Sequence, residues 1–157
     1  MPPDRRGLIH ENDVSALKGF RSMLDHEFKT NLALNAKVEA STYRGEDDHF
    51  SPANISDGNE ETYWTTDDAI TTGSLEIDLG KVQLVKYIQL QEYIKLGQRV
   101  KNYTVEIWQD NKWQQLAEAT TIGYKRILKL GPAETNRIRV TIKASKACPL
   151  ISEVHVF

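Results

Sequence analysis

The run SPANISDGNEETYWTTD, residues 51–67, concentrates the oxygen-bearing side chains of this sequence. Asp57-Gly58-Asn59 reads as a turn, with Thr62 and Trp64 close behind. A tight turn can aim a carboxylate, main-chain carbonyls and a Thr hydroxyl at one point, which is the hard-oxygen cage that Ca2+ favours. It is not an EF-hand, whose alternating Asp/Asn spacing and terminal Glu are missing. The same residues also suit an Asx-turn with a solvated Asp57, or the wall of an active site. Two acid clusters lie nearby, Glu46-Asp47-Asp48 and Asp67-Asp68. Hydrolysis by paired carboxylates needs them about 5–10 Å apart in a pocket. Adjacent acids in a Gly- and Thr-rich loop are expected to be solvated instead.

His10, His26, His49 and His155 lack zinc-ligand spacing, and no Ser, Cys or His nucleophile motif or Gly-rich phosphate loop is present. Catalysis by this chain alone is not expected. Binding fits better. Tyr43, His49, Tyr93, Arg99, Tyr124 and Arg126 lie in or beside segments at strand ends. Sugar recognition needs an aromatic face for the apolar side of the ring and fixed donors for its hydroxyls. Trp64, Trp108 and Trp113 read as core residues.

Two periods organise the chain. Val14, Leu17, Phe20, Leu24 and Phe28 recur every three or four residues and predict an amphipathic helix within 12–29, capped by Asn12 or Asp13. From Asn31 onward the period is two. KVEAS (37–41), SLEIDLG (74–80), VKYIQLQEYI (85–94), YTVEIW (103–108), KWQQLAE (112–118), RILKL (126–130), RIRVTIK (137–143) and ISEVHVF (151–157) alternate apolar with polar residues. Asp110 to Trp113 reads as a hairpin turn. These runs, with no helix between them, predict an all-β fold: an eight-stranded antiparallel jelly-roll β-sandwich preceded by one N-terminal α-helix. Residues 42–73 form a long loop, a length usual for functional segments.

With 157 residues the chain suits one domain plus a short extra element, and a formal charge of −2 offers no field for nucleic acid or anionic lipid. No apolar run approaches the roughly 20 residues of a membrane-spanning helix, and the N-terminus lacks the pattern of a signal peptide. The single cysteine, Cys148, excludes an internal disulfide and reads as a buried small hydrophobe.

NLALNAKVEAS (31–41), ANISDGNEETYWTTD (53–67), SLEIDLGKVQLVKYIQLQE (74–92) and ISEVHVF together resemble a discoidin domain, also called a coagulation-factor 5/8 type C domain, over about 31–157. The D-G-N-x-x-T-x-W run followed by L-x-I-D-L-G carries the likeness. PPDRRGLIHENDVSALKGF (2–20), with EYIKLGQRVKNYTVEIW (92–108) and TTIGYKRILKL (120–130), resembles the end of bacterial α-L-fucosidases of the retaining type. The implied division is a catalytic-domain tail over 1–30 and a galactose-binding-like carbohydrate-binding domain over 31–157. The family's catalytic residues lie outside this chain.

The resemblance implies one structural Ca2+. Its ligands would be main-chain oxygens of Ala53 and Asn59, the Asp57 carboxylate, Thr62 and Glu153. It also implies a sugar site for terminal galactose or fucose, with His49, Arg99 and Arg126 as polar contacts and Tyr43 or Tyr124 stacking. The catalytic domain of the parent enzyme is the implied protein partner, and the implied location is secreted, periplasmic or cell-surface. An alternative role is a structural appendage that braces the catalytic barrel without binding sugar. A lipid-binding role is disfavoured, because EDDHF and TTDDAITT bring charge and hydroxyls rather than apolar spikes.

Overall fold

The computed structural model describes residues 7–157, in two compact units: one reaching to Asn31 and including Phe157, the other Leu32–Val156. In the first, α1 spans Glu11–Glu27. His10 caps it, its Nδ1 accepting from the Asn12 N–H at 3.2 Å, so the expected caps Asn12 and Asp13 sit inside the first turn. Acids there suit the positive end of the helix dipole, so Asp13 contributes by charge instead. None of the helix residues is buried, and Leu17, Phe20 and Met23 are exposed. Pro2 to Arg6 of the fucosidase-like stretch lie outside the described residues.

The second unit holds β1 (Lys37–Ala40), β2 (Trp64–Thr65), β3 (Gly73–Glu92), β4 (Val100–Gln109), β5 (Lys112–Ala119), β6 (Arg126–Ser145) and β7 (Leu150–Val156). Every pairing is antiparallel, in the order β2-β7-β3-β6-β4-β5, with β1 also on β3. Two pairs of predicted runs are each one continuous strand, β3 and β6, and β2 is a short strand inside the long loop. The β3–β6 ladder shifts register between Asp78 and Gln83 and again between Val85 and Tyr87. Such irregularities let a strand bend and serve two layers. The first half of β3 pairs with β1 and the second with β7, while the second half of β6 carries β4 and then β5. The result is the expected sandwich, with seven strands among the described residues rather than eight, because the two mergers outweigh the added β2.

Alternation fills its core with Leu75, Ile77, Ile88, Leu90, Tyr103, Val105, Ile107, Ile138, Val140 and Ile142, all 1% exposed or less. Trp64 is wholly buried, and its indole N–H donates to the Thr42 carbonyl at 3.0 Å, fastening the long loop to the core. A Cβ on Gly73 would come within 2.9 Å of the Trp64 ring, so only glycine fits there.

Trp108 and Trp113 are not core residues. They face each other across the β4–β5 hairpin, whose turn residues Asp110 and Asn111 both have positive φ. Since Tyr103, Val105 and Ile107 point inward, period two sends Trp108 to the outer face. There the Arg137 guanidinium lies 4.5 Å from the Trp108 ring centre and that of Arg139 lies 4.3 Å from Trp113.

Arg139 also makes a two-pronged bond to Glu106, at 2.8 and 2.9 Å. That hydrogen bond, outweighing burial, holds the Glu106 carboxyl below its ordinary 4.5. A depressed folded value contributes stability that is fully present above 4.5 and is lost as pH falls through the folded value. Melting of Glu106→Gln is therefore expected to fall about 1 kcal/mol short of wild type at neutral pH, with the gap closing below pH 4.5. Thermal melts of both proteins across that range check it, and a gap independent of pH would contradict it.

Candidate functional site

A 3-10 turn, Pro52–Ser56, carries Ala53 and Ile55 and packs against β7. Ser51 opens it by accepting from the Ala53 N–H at 3.3 Å. Asn54 ties the loop together by donating to the His49 and Tyr63 carbonyls at 2.9 and 3.1 Å. Ser56 Oγ lies 3.1 Å from the Ala36 carbonyl oxygen and 3.2 Å from that of Ala53, and its one proton serves either of them in turn.

The chain then turns through Gly58, whose φ of 77° glycine accepts without strain. Asp57 Oδ1 accepts from the Asn59 N–H at 2.8 Å, the Asx-turn foreseen above. Thr62 Oγ lies 2.7 Å from Asp57 Oδ2 and 2.8 Å from the Asn59 carbonyl oxygen. A hydroxyl has one proton, so it satisfies only one of these two acceptors at a time. Oxygens gathered beyond the available protons are the donor set a hard cation takes.

Glu153 lies on β7, 1% exposed. Its Oε2 is 3.2 Å from His155 Nε2, and its Oε1 is buried with no partner. Directly opposite on β3 stands Gln91, 2% exposed, whose Nε2 is also buried and unpartnered. Among the described residues, no three His, Cys, Asp or Glu side chains gather into a metal-holding group, so a cation here would depend on main-chain oxygens.

Beside these groups lies a cavity of about 60 Å³. Gln91, Tyr93 and Tyr124 line it, with Glu60, Glu61 and Lys95 also on its wall. Lys95 pairs with Glu61, and this bond raises its pKa. An aromatic row leads to the cavity: His49 meets Phe50 edge-on at 4.9 Å, Phe50 meets Tyr63 at 5.6 Å, and Tyr63 stacks on Tyr93 at 4.5 Å. Arg44 lies 5.6 Å from the Phe50 ring centre.

The five residues expected to contact sugar have separate fates. Tyr124 is exposed on the cavity, and His49 is exposed at the far end of the aromatic row. Tyr43 is packed against the core. Arg99 donates to the Cys148 carbonyl at 3.0 Å and contacts its Sγ at 2.8 Å, so the guanidinium fastens the buried Cys148 segment. Arg126 donates to the Thr121 carbonyl at 3.2 Å.

Phe50, Tyr63, Lys95, Gln91 and Glu92 were not foreseen. Glu92, 2% exposed, accepts three backbone N–H bonds: Arg99 at 2.7 Å, Val100 at 2.9 Å and Gly123 at 2.7 Å. The sequence carries no signal for it: Glu92 closes an alternating run, and only the structure shows that both faces of the strand are buried there.

The F5/8 type C domain model matches residues 37–154. Over its whole length the chain is 38% identical to a protein of Oryza sativa subsp. japonica named "Putative alpha-L-fucosidase 1", of which it covers 31%. A Ruminococcus gnavus GH29 fucosidase, E1_10125, solved in complex with fucose, superposes with a TM-score of 0.89 at 34% identity, covering 99% of this chain and 32% of that one. Chitosan-binding module 1 of a chitosanase/glucanase from Paenibacillus sp. IK-5 superposes at 0.73 over 82% of this chain and 98% of its own. At 21% identity that is a likeness of fold alone. The chain spans about a third of the length of the curated relatives it matches. Plant proteins stand beside bacterial ones among these relatives, so the likeness reaches beyond the bacterial enzymes. The bent antiparallel sandwich, the D-G-N-x-x-T-x-W run in its long loop and the match over 37–154 place this chain in the F5/8 type C domain family.

Proposed function

We propose that this chain is the noncatalytic carbohydrate-binding module of an α-L-fucosidase, taking glycans with terminal galactose or fucose. Hydrolysis would reside in the portion of the relatives that this chain does not span. The observation that carries the reading is the cavity lined by Tyr93, Tyr124 and Gln91. The pocket would take part of a sugar, such as an exocyclic methyl or hydroxymethyl group. A sugar ring would then lie against Tyr124, with its hydroxyls toward Glu60 and Glu61. Calorimetric titration with fucose and galactose at millimolar concentration tests this. Tyr124→Ala is expected to weaken binding about tenfold, the worth of one ring contact, and to leave melting unchanged because Tyr124 is exposed. Absence of heat with both sugars would remove the lectin role.

A structural Ca2+ at Ala53, Asp57, Asn59, Thr62 and Glu153 belongs to the same proposal. Two observations support it: the surplus of acceptors around Thr62, and the buried, partnerless Glu153 Oε1. When bound, the ion would supply positive charge to these oxygens and brace a loop short of regular structure. The proposed location is secreted, periplasmic or cell-surface, where such glycans are displayed, and fractionation of cells making the parent protein checks it.

A second reading is favoured by α1. Its exposed Leu17, Phe20 and Met23 fit a helix that seats the module on the catalytic domain. The isolated chain is then expected to self-associate at high concentration, and Phe20→Glu to abolish this in analytical ultracentrifugation. A chain that stays monomeric at millimolar concentration would oppose it.

A further inference from the structure

We propose that Gln91 is the positioning residue for Glu153 at the cation site, an inference that rests on the calcium reading above. Antiparallel pairing of β3 and β7 sets Gln91 directly opposite Glu153. Residues so placed project from the same face with Cβ atoms about 4.5–5.5 Å apart. Both side chains are shut off from solvent, and each ends in one partnerless atom, a donor on Gln91 and an acceptor on Glu153. Leaving a buried donor and a buried acceptor unmet is costly, and once Glu153 ligates an ion a rotation of the Gln91 side chain would bring its amide to that carboxylate.

The assignment of atoms follows from what each already does. Glu153 Oε2 lies beside the His155 ring, so Oε1 is the oxygen left to face a cation. A carboxylate oxygen has two lone-pair directions and can accept from the Gln91 amide while ligating an ion. A hydrogen bond of this kind fixes the ligand's orientation, and losing one typically weakens metal binding about 10–100-fold. Gln91 also lines the cavity, so the residue paired with Glu153 across the strands is itself part of the proposed sugar pocket.

The test is calcium titration by calorimetry, with thermal melts in calcium and in EGTA, on the whole chain. Gln91→Met keeps the length of the side chain and removes the donor. Calcium affinity is expected to fall at least tenfold, while the melting temperature in EGTA stays level or rises, because the lost nitrogen had no partner. A merely space-filling Gln91 gives the opposite split, with lower melting in EGTA and unchanged affinity, and would overturn the proposal. Gln91→Asn, which keeps the amide one methylene short, should show the same split if the Met variant does not fold. In a Glu153→Gln background the Gln91→Met change should have no further effect on calcium affinity, and an additive loss would contradict action through Glu153. Wild-type protein that binds no calcium would remove the calcium reading itself. Wild-type binding with an unaltered Gln91→Met affinity would overturn this inference alone.

Discussion

Glu92→Ala is expected to destabilise the domain by about 3–5 kcal/mol, the range for breaking a buried, fully bonded charged group. One carboxylate at the end of β3 holds two loops. Its Oε1 takes the N–H groups of Arg99 and Val100, and its Oε2 takes that of Gly123. The Glu92 N–H in turn donates to the Gly123 carbonyl at 3.0 Å. Alanine would leave three backbone donors without their acceptor, and Val100 is 1% exposed, where water is a poor substitute. Glu92→Gln should cost roughly half as much, since its amide oxygen still serves one loop while its NH2 faces a donor. The loops so pinned carry Tyr93, Lys95 and Tyr124, so sugar affinity should fall with stability. Urea titration measures the loss. Melting within a degree or two of wild type would show that solvent replaces the carboxylate.

Calcium is expected to produce an effect of similar size. An ion bound only by the folded state stabilises it by mass action, about 4 kcal/mol when its concentration is a thousandfold above the dissociation constant. For a domain of this length that is a shift on the order of 10 °C. Adding EGTA should therefore lower the melting temperature by that order, and Asp57→Ala should melt low with or without calcium. The physical reason lies in the loop. Residues 42–63 are held by 3-10 turns and single side-chain bonds rather than by a sheet ladder. A melting temperature indifferent to both EGTA and Asp57→Ala would refute the site.

Period two made the sandwich legible, because each strand buries one face and exposes the other. It concealed the continuity of β3 and β6. Gly80-Lys81 and Gly131-Pro132 look like turns, yet the strands run through them with shifts of register. The same alternation held the correct side for Trp108, opposite Ile107, and residue type outweighed it. In the site, the Asp57–Thr62 turn was legible because its bonds span five residues or fewer. Glu92 reaches Arg99, Val100 and Gly123, and Gln91 faces Glu153 only through the β3–β7 register. Contacts at such separations are set by topology and leave no local pattern. Arg99 and Arg126 were read as ligand donors by type, and the structure adds what type alone does not show, a bond from each guanidinium to a carbonyl, Cys148 for Arg99 and Thr121 for Arg126.

Chemical-shift mapping by NMR of the labelled chain, in calcium, titrated with fucose and then galactose, reads the central claim most directly. The account predicts shifts, with at least one of the two sugars, confined to the Tyr93 and Tyr124 amides and the Gln91 side-chain NH2. No shift with either sugar, or shifts only at residues far from that cavity, would contradict it.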